Sequence, residues 1–401
     1  MNFIHFVYRN LFVMGKFSYF CIVKSEIKSK QENKRRTMQE SYIQVLPARH
    51  GDALILHCSK GGNRGVIVID GGPYSNPRFN LFLTEIERHL PIDLMVMTHF
   101  DDDHLVGIKK FIENHRNDNP FPVKRIWANC AKHVNFDLSE NLSSKKASKM
   151  ADVLWKISQT SQLDWEKYRL NGFIDETISF ADIEVINPRK DFFEHFITSY
   201  KEEYACGYTE ENLSNKKDKG SDINIDMHEL ANRPKVPGNV DKPSELINMV
   251  SVSMLICCDA FSLLALGDSF PQEIYASLVE RGYNKMNKLH VDYIKMPHHG
   301  SAENISNELL DIIDCDNFII TTDGSKGFKH PHREALANVL CHPERDYSRV
   351  VHFYFNYPLE TIEKNREETL FNAELDNNLN FECHEPQETE RILILPSCYN
   401  T

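Results

Sequence analysis

Four potential metal ligands fall within six residues of this chain, and the segments on either side constrain how it folds. Residues 92–98 are apolar and predict a buried strand that ends at His99. The ligands are His99, Asp101, Asp103 and His104. Residues 105–115 then carry a helical pattern. The sequence therefore predicts a strand-to-helix loop with Asp103 near the helix N-terminus, where backbone N–H groups favour carboxylates and anionic substrates.

The same loop has a simpler interpretation, a solvated acidic turn in which an aspartate caps the helix. A cap needs one carboxylate, whereas here two histidines bracket three aspartates directly after a buried strand. Imidazole and carboxylate groups are ligands that divalent ions prefer in proteins. The pattern therefore favours a metal site over a capped turn.

Short apolar runs bounded by Gly, Pro, Asn or Asp predict strands along most of the chain. The predicted strands are residues 42–46, 53–57, 66–69, 93–97, 125–128, 183–186, 250–257, 261–266, 291–295, 318–322 and 351–355. The predicted helices are residues 105–115, 272–281 and 331–340. Strands come first as a meander and later alternate with helices. This order predicts a mixed α/β (α+β) fold of two sheets with helices outside them.

Composition divides the chain into three segments. Residues 1–37 are aromatic and apolar, then basic, and we expect them to lie outside the core, upstream of a natural start at Met38. Residues 38–345 carry the predicted fold and include a polar surface insertion at residues 202–245. Residues 346–401 are expected to form a C-terminal extension that packs on this domain and adds an edge to a sheet.

Charge and cysteine content narrow the class of protein. The chain has 58 acidic and 46 basic residues, a formal net charge of -12, which makes it a poor candidate for coating nucleic acid. A small phosphate-ester site is compatible with this charge, because metal ions can supply the positive charge. Arg9 and Lys16 interrupt the apolar start before it reaches the ~20 residues of a membrane span, so we expect no integral membrane association. Ten cysteines without a CxxC pair predict reduced thiols and a cytoplasmic protein.

Residues 98–107, THFDDDHLVG, resemble the THxHxDHxGG signature of the metallo-β-lactamase superfamily, with Asp101 in place of the second histidine. This variant resembles the branch related to the hydrolase domain of the competence protein ComEC. Further segments resemble family motifs in the family's order: residues 44–56 (QVLPARHGDALIL), 66–72 (VIVIDGG), 264–269 (LALGDS) and 294–301 (IKMPHHGS). The resemblance covers about residues 42–340 and implies a four-layer αββα sandwich with hydrolase activity.

The resemblance implies a centre of two divalent ions. His99 and Asp101 match the pair that holds the first ion, and Asp103 and His104 match the pair that holds the second. Asp268 matches the aspartate that bridges both ions. Asp103 is also a candidate catalytic residue, because it would orient the nucleophile. Asp101 makes the first site richer in oxygen, which suits Mn²⁺, and we expect Zn²⁺ or Mn²⁺.

Two histidine motifs supply the remaining candidates. One of His298 and His299 matches the last ligand of the second ion. The spacing to Ser301 favours His299, and the other histidine would contact substrate. Residues 329–332, KHPH, resemble a GHPH element of the ComEC branch, so His330 is a candidate for contact with substrate or leaving group. His330 also has a purely structural interpretation, as a loop residue before a helix that starts with proline.

The sequence departs from the family pattern at one ligand position. Members of the superfamily usually supply another histidine to the first ion, from a strand end that precedes the bridging aspartate. Residues 184–188, EVINP, stand at that place and offer Asn187 instead. The resemblance therefore implies that the first ion has fewer protein ligands and is held more weakly.

These observations predict a hydrolase that uses hydroxide shared by two metal ions. Its predicted substrate is a small phosphodiester or a nucleic-acid end. An alternative is hydrolysis of an ester, thioester or lactone. A third interpretation is a metal-stabilised partner module, because stand-alone proteins that resemble this branch occur beside large ATPases in bacterial defence clusters. In that interpretation, residues 202–245 would dock the ATPase.

Overall fold

A computed structural model describes residues 41–73, 81–129, 153–165, 168–199, 222–325, 327, 329–372, 374–376, 378–386 and 393–395. The predictions for residues 1–37 and for residues 202–221 lie outside this part of the chain. Within it, two mixed sheets pack face to face, and helices cover both outer faces.

The elements are numbered in chain order. The strands are β1 (Tyr42–Val45), β2 (Leu54–Lys60), β3 (Asn63–Ile69), β4 (Leu94–Met97), β5 (Ile126–Ala128), β6 (Asp182–Asn187), β7 (Ser253–Cys257), β8 (Ser262–Ala265), β9 (Leu289–His290), β10 (Tyr293–Lys295), β11 (Ile313–Asp314), β12 (Asn317–Ile320), β13 (Val351–Phe355), β14 (Phe381–His384) and β15 (Leu393–Leu395). The helices are α1 (Phe82–Ile86), α2 (Asp102–His115), α3 (Lys190–Ser199), α4 (Met227–Ala231), α5 (Pro243–Met249), α6 (Pro271–Glu280), α7 (Asn307–Asp311), α8 (Arg333–Leu340) and α9 (Leu359–Arg366). Among the described residues, every helix is too short or too polar to cross a bilayer.

The two sheets have different strand directions. The first has the order β15-β1-β2-β3-β4-β5, antiparallel from β15 to β3 and parallel from β3 to β5. The second has the order β14-β13-β12-β10-β8-β7-β6, parallel from β14 to β8 and antiparallel beyond it. The strands β9 and β11 form a separate parallel pair.

Alternate side chains along each strand point to opposite faces of its sheet, and in both sheets both faces are buried. On β3, Ile67 points into the core between the sheets, whereas Val68 points towards the helices on the first sheet. On β12, Ile319 points inward and Ile320 points towards the helices on the second sheet. The helix α2 places Phe111 in the outer layer of the first sheet, and α8 contributes to the outer layer of the second. The predicted four-layer αββα sandwich is therefore confirmed.

One part of the predicted surface insertion is wrong. Residues 202–245 were expected at the surface, but Met227, Leu230 and Ala231 are buried in the core of the second sheet's outer layer. The side chain of Asn338 on α8 donates a hydrogen bond to the carbonyl of Ala231 at 3.0 Å. The short helix α4 supplies this packing with its apolar face. Its apolar residues were not recognised in the sequence because polar residues surround them.

The C-terminal residues are more than an added edge. Strand β13 lies between β12 and β14, inside the second sheet. Strand β15 pairs with β1, so the first sheet combines residues from both ends of the described chain. The domain therefore continues past the predicted boundary at residue 345.

The buried side chain of Glu273 allows the packing of helix α6 to be tested by changing the pH. It is a buried acid in the first turn of α6, and burial raises the pKa of its carboxyl to about 7 against the opposing effect of Arg189. At pH 4 the carboxyl is protonated in both the folded and the unfolded state. Above pH 7 the folded protein must ionise a buried group, so this group costs stability as the pH rises.

We expect Glu273→Gln to increase the free energy of unfolding by about 1–2 kcal/mol at pH 8 and to change it little at pH 4. Urea denaturation at both pH values measures this. Glu308→Gln is the control, because Glu308 is an exposed acid in the first turn of α7. An equal effect of Glu273→Gln at both pH values would contradict the argument.

Candidate metal centre

The predicted ligands lie at the carboxyl ends of buried strands. The loop from β4 to α2 carries the cluster that begins at His99, and the loop after β8 carries Asp268. A short 3₁₀ turn after β10, Pro297–Gly300, carries two more histidines. The structure thus brings together segments that are about 170 to 200 residues apart in the sequence.

Three histidine side chains are buried at the centre, and in each of them one ring nitrogen has no hydrogen-bond partner among the described residues. The Nε2 atoms of His99, His104 and His299 have no hydrogen-bond partner among the described residues, and neither has Oδ1 of Asp268. Their residues are at most 3% exposed. Unpaired polar atoms at such depth cost free energy, and imidazole nitrogens that face a carboxylate fit a bound cation.

The other nitrogen of each imidazole is held by a neighbour. His104 Nδ1 lies 2.8 Å from Asp70 Oδ2, and His99 Nδ1 lies 3.0 Å from the Thr98 hydroxyl. The Thr98 hydroxyl donates to Asp70 Oδ2 at 2.7 Å, so it is available to accept from His99. Nδ1 of His299 lies 3.1 Å from Asp52 Oδ1. These contacts favour a proton on Nδ1 of each ring and leave Nε2 facing the centre, which is the tautomer that a metal-bound histidine needs.

A first group of ligand atoms surrounds one oxygen of Asp268. His99 Nε2 lies 3.8 Å from Asp101 Oδ2 and 3.9 Å from Asp268 Oδ2. His298 Nε2 lies 3.7 Å from the same Asp268 oxygen. Two ligands bound to one ion at about 2.0–2.2 Å in a tetrahedral arrangement are separated by about 3.3–3.6 Å. Each of these three separations therefore exceeds the tetrahedral spacing by only a few tenths of an ångström.

A second group lies beside the first. His104 Nε2 is 3.4 Å from Asp268 Oδ1, and His299 Nε2 is 3.4 Å from Asp103 Oδ2. His104 Nε2 is also 3.9 Å from Asp103 Oδ2. Asp268 faces both groups: its Oδ1 lies beside His104, and its Oδ2 lies beside His99, His298 and His299.

His298 and His299 lie beside different groups of ligand atoms. His299 is buried beside Asp103, in the second group, as the sequence favours. His298 is a quarter exposed and faces the first group, at the place where the sequence lacks the usual histidine. Both residues have left-handed backbone angles, with φ of 48° and 56°, a conformation that non-glycine residues adopt rarely and often at functional sites.

Asn187 does not reach the centre. Its buried amide donates hydrogen bonds to the carbonyl oxygens of Met249 and Ser251, both at 2.8 Å. The hydroxyl of Ser251 lies 3.3 Å from His99 Nδ1 and accepts from the backbone N–H of Asp268. Asn187 thus supports the loop behind the candidate ligands, at the position where the family pattern has a histidine and this chain has none.

Sequence reasoning assigned no role to Asp52 or Lys295. Lys295 is a buried lysine that forms an ion pair with Asp52 and lies 4.0 Å from Asp268 Oδ1. Burial raises the pKa of the Asp52 carboxyl, but Lys295 and His299 outweigh burial and hold it below its usual range. Asp52 lies on the Nδ1 side of both rings, 3.1 Å from His299 and 3.8 Å from His104, so it would help to orient His299. The sequence could have indicated both residues, because each is a charged residue in or beside an otherwise apolar strand.

The carboxylates dominate the electrostatics of the centre. Burial lowers the pKa of His299, but Asp268 and Asp52 outweigh it and raise the pKa to about 9. The same competition, with Asp268 and Asp103 against burial, holds the pKa of His104 well above its usual value. Raised histidine pKa values of this kind mark an excess of negative charge, which divalent ions would neutralise.

His330 lies at the side of the centre. Its ring centroid is 5.2 Å from that of His298 and 6.0 Å from that of His299. Burial, together with His332, lowers the pKa of His330 well below its usual value, so the ring is neutral at pH 7. The guanidinium of Arg366 on α9 donates to the carbonyl oxygens of Lys329 and Pro331 and so fixes the loop around His330.

No family model and no curated protein matches this chain. Similar solved structures include Zn²⁺-bound PqqB from Methylobacterium extorquens, at 11% identity and a TM-score of 0.41 over 88% of this chain and 99% of PqqB. The metallo-β-lactamase fold protein YhfI from Bacillus subtilis is 8% identical, with a TM-score of 0.35 over 88% of this chain and 99% of YhfI. A variant of the CmlA β-hydroxylase is 12% identical, with a TM-score of 0.39, and this chain spans 54% of its length.

Proposed function

We propose that this protein is a metal-dependent hydrolase that acts on a phosphodiester of a small molecule or of a nucleic-acid end. The proposal is carried by the Nε2 atoms of His99, His104 and His299, which have no hydrogen-bond partner in the described part of the chain and face the two oxygens of Asp268. Water-excluded imidazoles oriented by carboxylates are what a hydrolytic metal centre requires.

The donor set suits two ions of Zn²⁺ or Mn²⁺. His99, Asp101 and His298 would hold the first, His104, Asp103 and His299 the second, and Asp268 both. Bound divalent ions would lower the pKa of water from about 15.7 towards ~7 and offset the charge that develops on a phosphoryl oxygen.

Asp103 would orient the attacking water. Its side chain is 22% exposed, and its Oδ2 faces His299. Burial raises the pKa of its carboxyl, but His104 and His299 outweigh burial and keep the group ionised at neutral pH. An ionised carboxylate accepts a hydrogen bond from water and so directs a lone pair of the water oxygen towards phosphorus.

His330 would contact the substrate. Burial, together with His332, lowers the pKa of its imidazole well below the usual value, so the ring is neutral at pH 7. A neutral N–H group donates to a phosphoryl or leaving-group oxygen without adding a charge. The N-terminus of α2 lies at the same centre and favours an anionic group there. An anionic diester is therefore a better fit than an uncharged carboxylic ester.

The test compares two model substrates after chelation and metal addition. With Mn²⁺ or Zn²⁺ restored, we expect hydrolysis of bis-(p-nitrophenyl) phosphate at a rate well above that of p-nitrophenyl acetate. In the same assay His330→Gln should keep its metal content, measured by mass spectrometry, and lose about 10²-fold in kcat. Hydrolysis of the acetate alone would overturn the phosphodiester assignment, and an unchanged kcat in His330→Gln would remove that residue from the reaction.

A further inference from the structure

A second group of metal-binding side chains lies at the β14 edge of the second sheet. Strands β13 and β14 pair in parallel, with His352 opposite Glu382 and Tyr354 opposite His384. Because alternate residues of a strand share a face, His352, Glu382 and His384 project from the same side of the sheet. We call these three residues the edge cluster; none of them belongs to the metal centre described above.

The three ligand atoms of the edge cluster form a compact triangle. His352 Nδ1 lies 3.0 Å from His384 Nε2 and 3.5 Å from Glu382 Oε2, and the last two atoms are 3.8 Å apart. A point equidistant from all three lies about 2.0 Å from each, which is the length of a bond from zinc to an imidazole nitrogen or a carboxylate oxygen. We propose that the edge cluster binds a Zn²⁺ ion, with water as the fourth ligand.

The surroundings of the edge cluster support an ion more than a simple hydrogen bond. Within the described ranges, Glu382 has no lysine or arginine at ion-pairing distance, so its carboxylate faces two imidazoles and no permanent cation. The ring of Tyr354 stacks on His384, with centroids 4.5 Å apart and planes 15° apart, and fixes the imidazole plane. The side chains of His352 and His384 are 28% and 35% exposed, which leaves access for an ion and a water molecule.

Other pairs of histidine and carboxylate on the surface lack this geometry. His115 directs Nδ1 to Asp118 and Nε2 to Glu87, so the two carboxylates lie on opposite sides of the ring. His290 contacts Asp314, but Arg349 already neutralises that carboxylate at 2.6 Å. In neither case do three ligand atoms point towards a common position where one ion could bind.

The proposed ion would join β14 to the sheet. Strand β14 is an edge strand with four residues, and it has one neighbouring strand. A Zn²⁺ ion that bonds to His352 on β13 and to two residues on β14 would hold the edge strand in register. Because the ion binds the folded state alone, it would also stabilise the fold.

The first experiment counts zinc. The full chain is stripped with EDTA, loaded with Zn²⁺, passed through a desalting column and analysed by mass spectrometry. We expect His384→Gln and Glu382→Gln each to lose one zinc equivalent per chain relative to the parent protein. His290→Gln, the matched control, should lose none. Any hydrolysis of bis-(p-nitrophenyl) phosphate should be unchanged in all three variants. An equal zinc count in the parent and His384→Gln would overturn the proposal.

A second measurement uses the parent protein and so does not depend on how the variants fold. Crystals grown with Zn²⁺ are measured at the zinc absorption edge. We expect an anomalous peak within about 2.3 Å of the three edge-cluster atoms. Density for the three side chains without such a peak would contradict the proposal, whatever the metal content and activity of the other centre.

Discussion

Replacing Asp103 with alanine is expected to lower kcat/KM for phosphodiester hydrolysis by about 10³-fold while the protein stays folded. Asp103 contributes Oδ2 to the second group of ligands, 3.4 Å from His299 Nε2 and 3.9 Å from His104 Nε2. Its loss removes both a ligand and the group that orients water. Because His104 and His299 stabilise its ionised carboxylate, the unliganded variant should also be somewhat less stable than the parent protein.

Asp102→Ala is a matched control for this experiment. Asp102 is the neighbouring carboxylate in the first turn of α2, and it is exposed. We expect it to keep full metal content and activity, whereas Asp103→Ala binds less metal. Thermal unfolding of both variants establishes that they are folded. A folded Asp103→Ala protein with the activity of Asp102→Ala would exclude the catalytic assignment.

Replacing Gly107 with alanine is expected to destabilise the fold by about 3 kcal/mol and to weaken metal binding. A Cβ atom at residue 107 would lie 1.9 Å from the carbonyl oxygen of Gly71 and 3.0 Å from the ring of Phe82. The backbone of α2 is locked there, because Gly107 N–H donates to Gly72 and Gly71 N–H donates to His104. Relief of the clash must therefore separate α2 from the turn that follows β3.

That separation reaches the ligands directly. Asp70, in the same turn, accepts the hydrogen bond from His104 Nδ1. The control is Gly172→Ala, because Gly172 has a φ of 82° and nothing within 4 Å of its added Cβ, so its cost is backbone strain of about 1 kcal/mol. Urea denaturation and zinc titration measure the two effects. Equal losses of stability in both variants would show that the contact between α2 and the turn does not limit packing.

Local sequence patterns were sufficient for most of the sheet framework. The strand predicted at residues 351–355 is found as β13 with the same bounds, and β4 differs from its prediction by one residue. The helix α2 begins at Asp102, three residues earlier than predicted, because its first turn is polar and contributes nothing to the apolar period. Strand β14 was not predicted, since it is short, lies at an edge and includes polar residues that do not bury fully.

The ligand loop could be predicted because its residues are adjacent in the sequence, but the residues behind it could not. Asp52 and Lys295 come from different sheets, and only the packing of those sheets joins them into an ion pair beside the ligands. Asn187 illustrates the opposite problem. It stands where the family usually has a histidine ligand, but its hydrogen bonds to two carbonyl groups involve a loop about 60 residues away, which no local pattern reveals.

The late strands of this fold determine when the centre can form during synthesis. On a ribosome, the loop that begins at His99 emerges long before β13, β14 and β15, which complete the two sheets. Arg366, which fixes the loop around His330, also emerges late. A nascent chain would therefore carry its first four candidate ligands, His99 to His104, for most of its translation without the scaffold that arranges them. We expect stable metal loading only after the C-terminal strands leave the exit tunnel.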